Sequence, residues 1–183
     1  MRERWTTGAV ILAVALLGGS MAAAAAEHTK AAAGSAGATA ATEYEATLSA
    51  ANGSGVNGTA HLTLRGRSLH VVVDASGLTP GRQHMAHLHG KTGENVSCDL
   101  KDTNGDGMVD EKEAEAQAGK EVLFLRPFPS ASKDGKIHID HTYTIDPAKV
   151  GPIEDRVVEL HGMERGGKWI DTLPVACGKP AKR

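Results

Sequence analysis

Residues 102–113 read DTNGDGMVDEKE, which sets side-chain oxygens at Asp102, Asn104 and Asp106, again at Asp110, and last at Glu113. A hard cation that takes roughly six to eight oxygen ligands explains why these residue types recur at that spacing. Gly107 stands where such a loop must turn sharply, and Met108 follows where only a backbone carbonyl is required. The run is a candidate calcium loop of the EF-hand kind, with Asp102, Asn104, Asp106, Met108, Asp110 and Glu113 as its ligands. The alternative is an acidic surface turn without an ion. A calcium sensor needs paired loops and an apolar groove that opens. Here there is one loop, the segment entering it is a poor helix, and the helix leaving it offers only alanines. A structural clamp is the expectation.

The second chemistry lies in the histidines. His84, His87 and His89 fall within six residues of one another in a chain that has nine histidines. On a strand, His87 and His89 share one face while Ala86 and Leu88 point to the other. Two imidazoles so placed suit copper or zinc; as an isolated pair they fit a solvent-facing or hydrogen-bonded role better. His61, His70 and His138 fall on polar strand faces. His141 falls on an apolar face, where a hydrogen-bonded core histidine is expected. Cys98 and Cys177 are the only cysteines. In an exported protein such a pair is most simply a disulfide, two buried free thiols being the alternative.

Export is expected from the first residues. Two arginines lie within residues 1–4, an apolar run covers 9–17, and Ala24-Ala25-Ala26 follows. This is the layout of a secretory signal peptide, residues 1–26, and points to a secreted, periplasmic or cell-envelope location. The apolar run is too short for a comfortable span, and no other stretch approaches the roughly 18 apolar residues a membrane helix needs; an uncleaved anchor is the alternative. Residues 27–42, nearly all Ala, Gly, Ser and Thr, bury too little apolar area to offset the entropy of ordering and read as a flexible tether. Residues 43–179 have the size of one domain. The formal charge of -2 gives no reason to expect nucleic acid as a partner.

Within that domain the apolar pattern has period two. Ala60, Leu62 and Leu64 alternate with polar residues, as do Leu69, Val71 and Val73, and later Ile137, Ile139, Tyr143 and Ile145. Turn signals separate these runs at Asn57-Gly58, Gly66, Gly77, Pro80-Gly81 and Asp134-Gly135. Further strands are expected over residues 156–161 and in the approach to Cys177. One helix is expected, residues 111–118, stopped by Gly119. The expected class is all-β, a Greek-key antiparallel sandwich or barrel, immunoglobulin-like in architecture, with one short helix after the calcium loop. Aromatic residues make up 3% of the chain, so its core must be aliphatic.

These pieces together resemble the Cu/Zn superoxide dismutases. The stretch GLTPGRQHMAHLHG, residues 77–90, looks like that family's turn and its strand with two copper-binding histidines, with one residue extra. The resemblance implies His87 and His89 as copper ligands, and RVVELHG, residues 156–162, implies His161 as another. His84 is the best candidate for a fourth. Cys98 and the VACG that ends at Gly178 match the segments of the family's disulfide, and Lys133-Asp134-Gly135 matches a family turn. The implied activity is dismutation of superoxide to dioxygen and hydrogen peroxide. The chain departs from the family in two places. The calcium loop stands where the family has its zinc loop, so zinc is not expected, and Pro174 stands where the family has a guiding arginine. Arg156 or Arg165 is the expected substitute for that charge. The related chordin-type (CHRD) domain also has a His-x-His strand, and a non-catalytic extracellular calcium-binding module of that type is the alternative function.

Overall fold

Alternation alone accounts for the first three strands. In β3 (Ser68–Ser76), Leu69, Val71, Val73 and Ala75 are buried while Asp74 is exposed. The same period buries Tyr44, Ala46 and Leu48 of β1 (Thr42–Ala50), and Ala60 and Leu62 of β2 (Asn57–Arg65). The computed structural model describes residues 40–91 and 93–183. The expected signal peptide, residues 1–26, and the expected tether as far as residue 39 lie outside the described residues. β1 takes in Thr42, the last residue of the stretch expected to be a tether.

The other elements are β4 (Ala86–Gly90), α1 (Glu111–Ala118), β5 (Lys120–Phe124), β6 (Ile137–Thr144), the single turn α2 (Pro147–Val150), β7 (Val157–Arg165), β8 (Lys168–Gly178) and β9 (Ala181–Lys182). All their ladders are antiparallel, in the order β5-β4-β7-β8-β1-β2-β3-β6, with β9 added beside β1 beyond the expected domain end at Lys179. β1 joins the two halves of this curled sheet. Most of its length pairs with β2, while Ser49 and Ala50 at its end pair with Cys177 and Ala176 of β8. β6 returns to β3, and β7 to β4, only after other strands have been laid down, which are returns of the Greek-key kind. The chain is therefore all-β.

Local chemistry fixes the turns and the helix. Gly166 and Gly167, both at positive φ, make the two-residue link from β7 to β8, a conformation that suits the twist of a hairpin. β7 thus continues past the expected strand end at His161 into a long hairpin. α1 has the bounds its composition predicts. Asp110 caps it, Glu113 completes a capping box, and Gly119 ends it at φ 83°.

The main core is aliphatic and spans both halves of the sheet, with Leu48, Leu62, Val71, Leu88, Ile139 and Leu160 in one cluster. A second, smaller cluster of Val96, Ala118, Val157 and Cys177 pins the excursion between β4 and β5 that carries the acidic loop and α1. The Cys98–Cys177 disulfide closes on that cluster, with Cα atoms 5.5 Å apart. One core expectation fails. His141 is exposed, because burial on edge strand β6 lapses between Ile139 and Tyr143, and its ring rests on Tyr143. His70 and His138 lie on polar faces and bond Asp140 and Asp74 at 2.8 Å each. No described helix is long and apolar enough to cross a membrane.

Candidate metal centre

β4 is buried along its whole length, so both of its faces are covered. Leu88 faces the aliphatic core, and His87 and His89 occupy the other side. β7 lies beside it, in a register that sets His87 opposite Glu159 and His89 opposite Val157. His161 on β7 is re-aimed by irregular pairing with β8 on both sides of it. Gly162 makes this possible: it holds φ 104°, and a Cβ there would stand 2.6 Å from the Trp169 ring.

The strands bring His87, His89 and His161 together. One ring nitrogen from each lies within 4.8 Å of the others, and all three side chains are buried. Their orientation is fixed from outside. His89 Nδ1 donates to the Gly119 carbonyl at 2.9 Å, and His161 Nδ1 donates to the Thr172 carbonyl at 3.0 Å. A carbonyl can only accept, so each neutral ring carries its proton on Nδ1 and presents a bare Nε2. Those two Nε2 atoms face one another at 3.3 Å. Neither is protonated at neutral pH. Burial, then the neighbouring His89 and His87, hold His161 down to about 3, and burial likewise lowers His89. Two opposed lone pairs repel unless a cation stands between them.

His87 is more exposed to the same deficit. Among the described residues neither of its ring nitrogens has a hydrogen-bond partner, although the residue is buried. Its ring lies edge-on to Phe124 and Phe128, at 4.6 and 5.5 Å. Burial, then His89 and Arg126, lower it to about 3, so it too is a neutral donor. Buried polar atoms are normally paired, and here the unpaired ones converge. Two donors held about 2.0–2.1 Å from one tetrahedral ion stand about 3.3–3.4 Å apart, which is the separation seen between His89 and His161. The backbone carbonyls behind both rings are the partners that metal-ligating histidines usually have. The residues present fit a transition metal.

His84 does not join them, contrary to its expected place as a fourth ligand. Its Nδ1 lies 3.0 Å from the His161 carbonyl and its Nε2 3.3 Å from that of Thr79, and its ring stands edge-on to Trp169. Arg156 is likewise spent. Its guanidinium is buried and donates to the carbonyls of Val150, Gly151 and Lys91, so it carries no charge to the centre's mouth as expected. Arg165 lies exposed beside the acidic loop near Gly107. The exposed cation that acts on His87 is instead Arg126, stacked on Phe124 and Phe128.

Glu159 went unnoticed in the sequence. It is fully buried, neither carboxyl oxygen has a hydrogen-bond partner among the described residues, and one oxygen lies 3.8 Å from His161 Nε2. Burial, then Glu121, raise it to about 8. With the carboxyl protonated and the imidazole neutral, this contact is not an ion pair. The signal was present in Val-Val-Glu-Leu-His, where the acid shares its face of an apolar strand with His161.

The acidic loop is closed by hydrogen bonds. Asp102 accepts from the backbone of Gly105 and Gly107, Asn104 from Asp106, and Asp106 from Met108. Glu113 accepts from Thr103, through both hydroxyl and backbone, and from the backbones of Asn104 and Asp110. The Thr103 hydroxyl above all, then these backbone donors, pull its carboxyl down to about 2. No three of the Asp102, Asp106, Asp110 and Glu113 carboxylates lie within 4.8 Å of one another, whereas those of Glu111, Glu115 and Glu121 do.

No family model and no curated protein matches the chain. The centre must be read from its own geometry.

Proposed function

We propose that this is an exported copper-binding protein of superoxide dismutase-like type, whose ion is held by His87, His89 and His161. The observation that carries the reading is the opposed pair of bare Nε2 atoms, with the unpartnered His87 ring beside them. Imidazole nitrogen suits several divalent transition metals, and the family resemblance selects copper among them. Copper, when bound, would supply the one-electron chemistry that superoxide dismutation requires. The chain's residues orient the ligands through Gly119 and Thr172, exclude bulk water with Phe124 and Phe128, and offer Arg126 as the positive charge for an approaching anion.

Thermal unfolding with added metal tests the binding. At about 1,000 times Kd a ligand specific to the folded state stabilises by about 4 kcal/mol. Copper or zinc should raise the melting temperature of the wild type and leave His161→Ala unmoved; equal responses would end the reading. Catalysis is tested by superoxide decay on copper-loaded protein against His89→Ala, where equal rates exclude it.

The burial of all three rings favours a second reading, a non-catalytic CHRD-like module that holds its ions for stability. In both readings residues 102–113 act as a structural calcium loop. Binding would require Glu113 to exchange its bonds to Thr103 and Asn104 for the ion.

A further inference from the structure

We infer that Glu159 is the fourth protein ligand of the three-histidine centre, making it a three-imidazole, one-carboxylate site for a divalent ion. The inference rests on the metal-binding reading above and goes beyond it in naming the donor set and the charge of the site. Period two places Glu159 on the same side of β7 as His161, and the strand register sets it directly opposite His87. One carboxyl oxygen is 3.8 Å from His161 Nε2, about 0.4 Å beyond the separation of two ligands on one tetrahedral ion, so the carboxyl must close on the three converging histidines for all four to share an ion. Both oxygens are buried without a hydrogen-bond partner, in a structure where His87 shows the same deficit a strand away.

The place is otherwise hard to explain. β7 is an interior strand, and an isolated acid facing imidazoles there gains nothing from packing that an aliphatic residue would not give. An ion held by three neutral imidazoles would leave two positive charges in a buried site. A carboxylate halves that charge and satisfies its own lone pairs in the same contact. Carboxylate oxygen also hardens the donor set, so the centre should favour a divalent ion over Cu(I). His84 cannot supply this donor, since both of its ring nitrogens lie against carbonyl oxygens.

The test compares mature wild type, Glu159→Gln and Glu159→Asp, each freed of metal by chelation and then titrated with Co(II) and Zn(II). Glutamine keeps the shape and removes the charge. Aspartate keeps the charge but falls a methylene short, and serves also if the glutamine variant does not fold. Loss of a direct ligand should exceed the roughly 10- to 100-fold typical of residues that only support one. The expected result is Zn(II) affinity at least roughly 100-fold weaker in Glu159→Gln, with a changed Co(II) visible spectrum. Affinity and spectrum equal to wild type in either folded variant would overturn the ligand role alone, while His161→Ala still loses metal. A wild type that takes up neither ion would remove the centre and the ligand role together.

Discussion

Removing the Cys98–Cys177 bridge should lower stability by an amount its place in the fold allows one to work out. The two cysteines are 79 residues apart in sequence. Closing a loop of that length restricts the unfolded chain by roughly 4–5 kcal/mol in the chain-entropy account. For a domain of this size each kcal/mol moves the melting temperature by roughly 2–4 °C, so a Cys98→Ser, Cys177→Ser double variant should melt about 10–15 °C below the wild type. Its urea m-value should rise, because the unfolded chain is free to expand. The loss should also be local in the folded state. Cys177 packs with Val96, Ala118 and Val157, and this small cluster ties down residues 93–119. Amide exchange should therefore quicken there more than in β1, β2 and β3. A double variant that melts within about 3 °C of the wild type at an unchanged m-value would refute the loop-closure account. Uniformly faster exchange would refute the local one.

Gly119→Ala should weaken the metal centre without touching a ligand. The residue holds φ 83°, and its new Cβ would stand 2.3 Å from the Gly90 backbone, so the carbonyl that orients His89 must move. A stability loss of about 1–3 kcal/mol by urea unfolding, with lower Zn(II) affinity, is expected; affinity equal to wild type would exclude this positioning role. Calcium should raise the melting temperature of the wild type but not of Glu113→Gln, and an identical response of the two would dismiss the clamp. An alkaline spectrophotometric titration should show no phenolate step near pH 10, the ordinary tyrosine value. Burial raises both tyrosines, Tyr143 to about 12. The sign follows: protonated Tyr143 contributes stability that is intact below pH 10 and is lost as pH rises through about 12. Ionisation of both phenols near pH 10 in the folded protein would contradict it.

What the sequence shows of this molecule is what depends on neighbours along the chain. Strands with one covered face leave a period of two, so β2, β3 and β6 were legible, and α1 was bounded by its composition and its stop Gly119. The side on which His87 and His89 stand followed from the same period. Exposure at a sheet edge did not, because His141 has the parity of Ile139 and Tyr143, yet β6 has a partner on one side only. Nor could pairing across the sheet be read. Whether Glu159 meets His87 depends on the register of β4 against β7, strands 70 residues apart, and a slip of one residue would have turned Glu159 to the other face. The aim of His161 depends further on the irregular pairing around Gly162.

The same reasoning explains why His84, nearest to the pair in sequence, lost its expected place to a residue far from it. A ligand must aim a lone pair into the centre, and His84 is not among the histidines whose nitrogens converge there. His84 lies before β4, in the turn segment after Thr79, and carbonyl oxygens of Thr79 and His161 meet its ring on both sides. Glu159 is held on the strand that carries His161, where no backbone donor reaches it because the ladder bonds of β7 are already made to β4 and β8. His89 and His161 each turn one ring nitrogen to a backbone carbonyl, so what remains unpartnered at the covered centre of β4 and β7 faces the other side chains of the group. A divalent cation that displaces the Glu159 proton partners the bare imidazole nitrogens and the carboxylate together.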